Sequence, residues 1–307
     1  SPDLPQNLAL GVVLGLVLGV GVALLREVLE TKVRTDADIA ALTDVTRLAT
    51  VPVDEPSADV LVFMRDDPMG HRAEAIRRLR TNLQFVDLGK QSRSIVVTSS
   101  IAGEGKTTTA INLAVSLADA GSRVVLVDTD LRLPSVADYL GLEGSAGLTT
   151  VLIGRAELAD VVHTWRNTGL DVLPAGSIPP NPSELLGSEA MARLLTDLAA
   201  TYDAVILDTP PLLPVTDAAV LSRMADSTLV VASAAGLRKH QLRASLEALE
   251  TVGAHVVGIV LNKARHKDRD RYAYEYRSSR RRARSGGAAS GKRRRGTPLP
   301  SREERSS

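Results

Sequence analysis

An apolar run, Ser94–Thr98, leads directly into the stretch SSIAGEGKTTT and then into a helical pattern over Thr107–Asp119. No other part of the chain narrows the fold as much. Glycines at 103 and 105 let backbone N–H groups curl around a phosphate, and the helix start adds a favourable dipole. Lys106 can reach the outer phosphate oxygens, and the Thr107 hydroxyl can hold Mg2+. Gly103, Glu104, Gly105, Lys106, Thr107 and Thr108 are thus the candidate residues for binding ATP. A serine, Ser100, stands where the usual phosphate-loop pattern has its first glycine.

Further apolar runs follow at Arg123–Val127, Leu170–Leu173, Ala204–Leu207, Thr228–Val231 and Val256–Leu261. They are apolar throughout rather than alternating, as expected of strands covered on both faces. Helical stretches at Pro182–Ala200 and Leu237–Val252 supply crossovers, so the expected fold is a doubly wound, mostly parallel α/β sheet of the P-loop NTPase kind. Ligands of such sheets bind beyond the carboxyl ends of strands. Two strand ends there carry acids: Asp128 with Asp130 in VVLVDTDLR, and Asp208 in AVILDTPP. Beside a phosphate loop, carboxylates at Asp128 and Asp208 can hold Mg2+ directly or through water. Asn262, closing GIVLNK, suits contact with a base edge and equally a turn that ends the strand. The five histidines show no metal-ligand spacing, and no G-x-S-x-G elbow occurs.

Twenty-two residues between Asp3 and Arg26 carry no charge. As a helix they would extend about 33 Å, enough to cross a membrane. No basic region precedes the run and it is long for a signal peptide, so a transmembrane helix is expected within residues 1–30. Arg26, Lys32, Arg34 and Arg47 follow it, which places the C-terminal bulk on the cytoplasmic side of the plasma membrane and the N-terminus outside. Gly11, Gly15 and Gly19 recur at a spacing that suits close helix packing. A cytoplasmic linker is expected over 31–68, the nucleotide-binding domain over 69–264, and a tail over 265–307. The first residue, Ser1, suggests a piece of a longer protein.

The near-neutral total of 37 basic and 36 acidic residues hides a division. Residues 1–264 hold 22 basic and 31 acidic side chains, net −9, whereas 265–307 hold 15 and 5, net +10. With 44% hydrophobic residues the chain as a whole is not disordered, and with no cysteine it has neither disulfides nor thiolate chemistry. The tail lacks apolar periodicity and reads as disordered, yet it carries Tyr272, Tyr274 and Tyr276 among its arginines. A basic tail on a membrane-tethered chain favours anionic lipid over nucleic acid as its surface.

These motifs resemble those of the bacterial tyrosine kinases of the capsule and exopolysaccharide type, which are similar to the Min/Par ATPases. The phosphate loop maps on Ser100–Thr107, the second acidic motif on Asp128–Arg132, and the third on Ile206–Pro211. Min/Par ATPases carry a signature lysine where this chain has Ile101, which favours the kinase branch. Glu74, Arg77 and Arg80 match the family's E-x-x-R-x-x-R motif, associated with ring-like self-association; helical spacing brings them to one face. The stretch Pro179–Gly187 is typical of the family, but its residues suggest no chemical role. The residues before the apolar run resemble the end of a polysaccharide chain-length-determinant domain.

The resemblance implies ATP-dependent tyrosine autophosphorylation that regulates exopolysaccharide polymerisation and export. Lys106, Asp128, Asp130 and Asp208 would be catalytic, with Asp130 as the base. Tyr272, Tyr274 and Tyr276 would be the acceptors, reached in trans within a ring, because ten residues beyond Asn262 can extend about 33 Å. Each phosphate adds about −1.5 to −2 charge, so three would cancel roughly half of the tail's excess and loosen both lipid binding and the ring. The implied partners are further copies of the chain, membrane lipid, the polysaccharide machinery and a tyrosine phosphatase. Two other readings stay open on residues alone: a Min/Par-like positioning ATPase, and a non-catalytic chain-length regulator that uses nucleotide as an assembly switch.

Overall fold

The computed structural model of the chain describes residues 8–9, 11–16, 19, 32–53, 60–86, 93–166 and 168–264. Contacts divide the chain into residues 1–265 and 266–307. The second unit, with Tyr272, Tyr274 and Tyr276, lies outside the described residues. So does much of the expected membrane segment, of which Leu8, Ala9, Gly11–Leu16 and Gly19 are helical. Among the described residues no helix is long and apolar enough to cross a membrane.

Eight strands form one sheet: β1 Arg47–Pro52, β2 Ser94–Ser99, β3 Val124–Asp128, β4 His163–Thr164, β5 Leu170–Leu173, β6 Ala204–Asp208, β7 Ser227–Ser233 and β8 Val256–Ala264. Their order is β1-β8-β7-β2-β6-β3-β5-β4. Pairing is parallel throughout except for β4 against β5. Every residue of β2, β3, β6 and β7 is buried, which is why these runs carry no polar alternation. Helices His71–Val86 and Lys106–Asp119 pack with β2 and β3 into one core. The helix Glu189–Thr201 covers the opposite face, and Lys239–Thr251 packs with β7 and β8.

Two elements differ from the sequence expectation. The stretch expected as a linker over 31–68 contributes β1, which pairs in parallel with β8 at the sheet edge. It also buries Val33, Ile39, Leu48, Phe63 and Met64. Asn112, in the helix after the phosphate loop, fastens this segment by accepting from the Met64 amide and donating to the Leu61 carbonyl. The single helix expected over Pro182–Ala200 is two helices, Pro182–Leu186 and Glu189–Thr201. Ser188 causes the break: its extended backbone and its hydroxyl, which accepts from the Met191 amide, start a new helix.

The sheet order carries three loops to one place. β2, β6 and β3 are neighbours, with Val97 level with Asp208 and Asp208 level with Asp128. Both acids therefore emerge beside the loop that follows β2.

Candidate active site

The loop after β2 turns through left-handed backbone at Gly103 (φ 80°) and Gly105 (φ 91°), a region that only glycine enters freely. Gly105 caps the helix Lys106–Asp119. The loop is braced from behind by side chains. Glu104 is buried, and its carboxylate accepts from the amides of Ile101 and Ser233, at 2.9 and 2.8 Å. Burial raises its pKa against those bonds. The Glu104 side chain thus ties the loop to β7. Asn262 donates from Nδ2 to the Glu104 carbonyl at 2.8 Å. It therefore supports the loop directly. Lys263, missed in the sequence reading, donates from Nζ to the Gly103 carbonyl at 2.7 Å while its own backbone adopts a positive φ of 56°.

Lys106 lies at the centre. Its Nζ sits 2.8 Å from Asp130 Oδ2, 3.2 Å from Thr107 Oγ1 and 4.0 Å from Asp208 Oδ1. Burial works to lower its pKa, but the charges of Asp208 and Asp130 prevail and raise it. Asp130 is also fixed at its other oxygen, which accepts from the Leu133 amide at 3.1 Å. Asp128 accepts from three backbone amides, those of Asp130, Ser135 and Val136, and so shapes the loop after β3. Burial nevertheless pushes its pKa up to about 6.

Asp208 is held less tightly. Its side chain is fully buried, and among the described residues its nearest contacts are Lys106 Nζ, 4.0 Å from Oδ1, and the Thr107 hydroxyl, neither in full hydrogen-bond geometry. Burial, opposed by Lys106 and aided by Asp128, pushes its pKa up to about 7. A buried carboxylate this loosely held, beside a lysine and a threonine hydroxyl, is a candidate ligand for a cation. Among the described residues, no three His, Cys, Asp or Glu side chains form a metal cluster by themselves.

Residues 92–256 match the family profile described as an AAA domain. Over 213 residues the chain is 40% identical to tyrosine-protein kinase YwqD of Bacillus subtilis (strain 168), covering 69% of this chain and 90% of that protein. The chain belongs to the bacterial tyrosine kinases. It is also 36% identical over 217 residues to tyrosine-protein kinase Wzc of Salmonella typhimurium (strain LT2), covering 69% of this chain but only 30% of Wzc. The chain thus spans under a third of that larger relative. The solved kinase domain of Escherichia coli tyrosine kinase ETK superposes with a TM-score of 0.70 at 31% identity, over 73% of this chain and 92% of that domain.

As a bacterial tyrosine kinase, the chain gathers Lys106, Thr107, Asp128, Asp130 and Asp208 at one point of the sheet. The E-x-x-R-x-x-R residues lie apart, on the helix His71–Val86. There Glu74 and Arg77 form an exposed pair at 3.5 Å, and Arg77 also donates to the Pro68 carbonyl. Arg80 turns inward and donates to the Ser116 carbonyl at 2.7 Å. The Pro179–Gly187 stretch, which suggested no role, brings Ser183 to Arg132 and Asp217.

Proposed function

We propose that the chain is a membrane-tethered autokinase that uses ATP and Mg2+ to phosphorylate Tyr272, Tyr274 and Tyr276 of a neighbouring copy. Through this it would control polymerisation and export of an exopolysaccharide or capsule. The observation that carries the reading is the Lys106–Asp130 pair set beside the buried, loosely held Asp208 carboxylate. When Lys106 turns to the phosphates, Asp130 Oδ2 loses its partner and can accept the proton of a tyrosine hydroxyl. Leu133 keeps that carboxylate aimed throughout. Thr107, Asp208 and Asp128 would hold the cation, which neutralises charge on the phosphoryl oxygens. Little covalent work is left to the protein, so transfer depends on positioning.

The uncharged N-terminal run supports a membrane anchor with the kinase domain cytoplasmic, and the basic tail supports contact with anionic lipid. Glu74 and Arg77 remain exposed for contacts between copies, and a tyrosine phosphatase would reset the tail. The kinase relatives favour this reading over a positioning ATPase or a non-catalytic regulator. The test incubates the full chain with labelled ATP and Mg2+ and maps the labelled peptides. Label on residues 272–276 that falls by about 10²-fold or more in Lys106→Met is the expected result. Label elsewhere only, or label undiminished in Lys106→Met, defeats the proposal.

A further inference from the structure

Arg132 lies two residues beyond Asp130, on the loop that carries the catalytic acid. Its guanidinium makes a two-pronged contact with Asp217, Nε to Oδ2 at 2.8 Å and Nη2 to Oδ1 at 3.1 Å. The same Nη2 donates to Ser183 Oγ at 3.1 Å, and the Ser183 hydroxyl donates in turn to Asp217 Oδ1. The Asp217 side chain is fully buried, whereas that of Arg132 is 39% exposed. Asp217 opens the helix Asp217–Met224, where a carboxylate also suits the helix dipole. Ser183 belongs to the short helix Pro182–Leu186. Three segments, following β3, β5 and β6, are therefore joined at one guanidinium.

Asp130 lies on one side of Arg132 in the chain, and on the other side Leu133 donates its amide to Asp130 Oδ1. The loop thus closes on itself around the acid, and Ser135 and Val136 extend it onto Asp128. Arg132 is the outward tether of this closed loop. If it shifts, the Leu133 amide shifts with it, and so does the carboxylate that must meet the tyrosine. None of Arg132, Asp217 and Ser183 has a hydrogen bond to the phosphate loop or to Lys106.

We infer that Arg132, held by Asp217 and Ser183, is a positioning residue that sets the place of Asp130 for phosphoryl transfer. The inference rests on the kinase reading above and assigns work to a stretch, Pro179–Gly187, that had none. A two-pronged guanidinium contact fixes orientation in a way that a lysine ammonium does not.

The test measures initial autophosphorylation rates of the full chain across ATP concentrations, with ADP affinity and thermal unfolding alongside. Arg132→Gln should lower kcat by about 10²-fold, the cost of displacing a reacting group by about 1 Å. The KM for ATP and the ADP affinity should stay within about twofold, because only transition-state positioning is lost. Arg132→Lys should fall between wild type and Arg132→Gln. Ser183→Ala leaves the ion pair intact and should cost several-fold in kcat without altering the melting temperature; with Arg132→Lys it decides the matter if Arg132→Gln fails to fold. Unchanged kcat in folded Arg132 and Ser183 variants overturns the inference alone, as does an ATP KM that rises in step with the loss of kcat. A wild-type chain that labels no tyrosine overturns the kinase reading, and this inference with it.

Discussion

The Lys106 ammonium and the Asp130 carboxylate form a 2.8 Å ion pair, with side chains 13% and 5% exposed, at the meeting point of the phosphate loop and the loop after β3. In the proposed mechanism Lys106 is the phosphate-directed cation and Asp130 the base, so this pair joins the two groups that transfer would have to separate. Lys106→Met removes both the phosphate contact and this pairing. Transfer should drop by about 10²–10³-fold, the scale of losing one preorganised charge-stabilising donor. Labelling with radioactive ATP at saturating concentration measures the loss.

Asp208 gives the folded chain a pH dependence with a definite sign. Its folded pKa of about 7 lies above the ordinary carboxylate value, as does that of Asp128 at about 6. Between about pH 4 and pH 7 the folded chain retains protons that the unfolded chain has released, so these two groups cost stability as pH rises through that window. Asp208→Asn removes one of them. The variant should melt near the wild-type temperature at about pH 5 and above it at about pH 8. Thermal unfolding at both pH values would show equal offsets if Asp208 were an ordinary carboxylate.

Gly105 tests the loop's backbone. A Cβ there would lie 2.1 Å from Asn262 Nδ2, and the residue's φ of 91° strains any side chain. Gly105→Ala should lower the melting temperature and weaken ADP binding. Adding Asn262→Ala relieves the clash but not the conformational cost, about 1–2 kcal/mol, so recovery should be partial. Asn262→Ala alone loses the bond to the Glu104 carbonyl, worth about 0.5–1.5 kcal/mol, and should weaken ADP by roughly three- to tenfold. Calorimetric titration with ADP resolves these steps.

Arg77 and Arg80 should behave differently although one motif contains both. Arg80 satisfies the Ser116 carbonyl in the last turn of the helix Lys106–Asp119, where no helical amide reaches it. Arg80→Ala should cost about 1–2 kcal/mol of stability. Arg77 is held on the surface by Glu74 and the Pro68 carbonyl, and Arg77→Ala should leave the melting temperature nearly unchanged. If the motif also joins copies of the chain, only the Arg77 variant separates assembly from stability. Thermal unfolding and sedimentation of both variants check this.

The phosphate loop, the acids at the ends of β3 and β6, and six of the eight strands were legible in the sequence. Each is written locally: an apolar run, then a change of residue type at the point where the strand ends. β1 was not. Arg47–Pro52 contains only scattered apolar residues and a proline, and its partner β8 lies more than two hundred positions later. An edge strand of this kind is recognised by what it pairs with rather than by its own pattern. The break in the helical stretch 182–200 was hidden because the apolar period continues across Ser188 while the backbone does not. Asp217 carries no local signal of its role, because its partner Arg132 lies 85 residues away in the chain.

The sequence by itself determined which chemical groups reach the nucleotide crevice, because strand, loop and helix are covalently consecutive and their spacing allows few other arrangements. It did not determine how those groups divide the work. Lys106 pairs closely with Asp130 and more distantly with Asp208, Asp128 is tied to backbone amides, and the Glu104 side chain turns away to brace the loop. Those assignments depend on distances of a few ångströms between segments far apart in the chain, and on burial. The tertiary structure alone decides both, since an electrostatic interaction reads separation in space and exclusion of water rather than position along the chain.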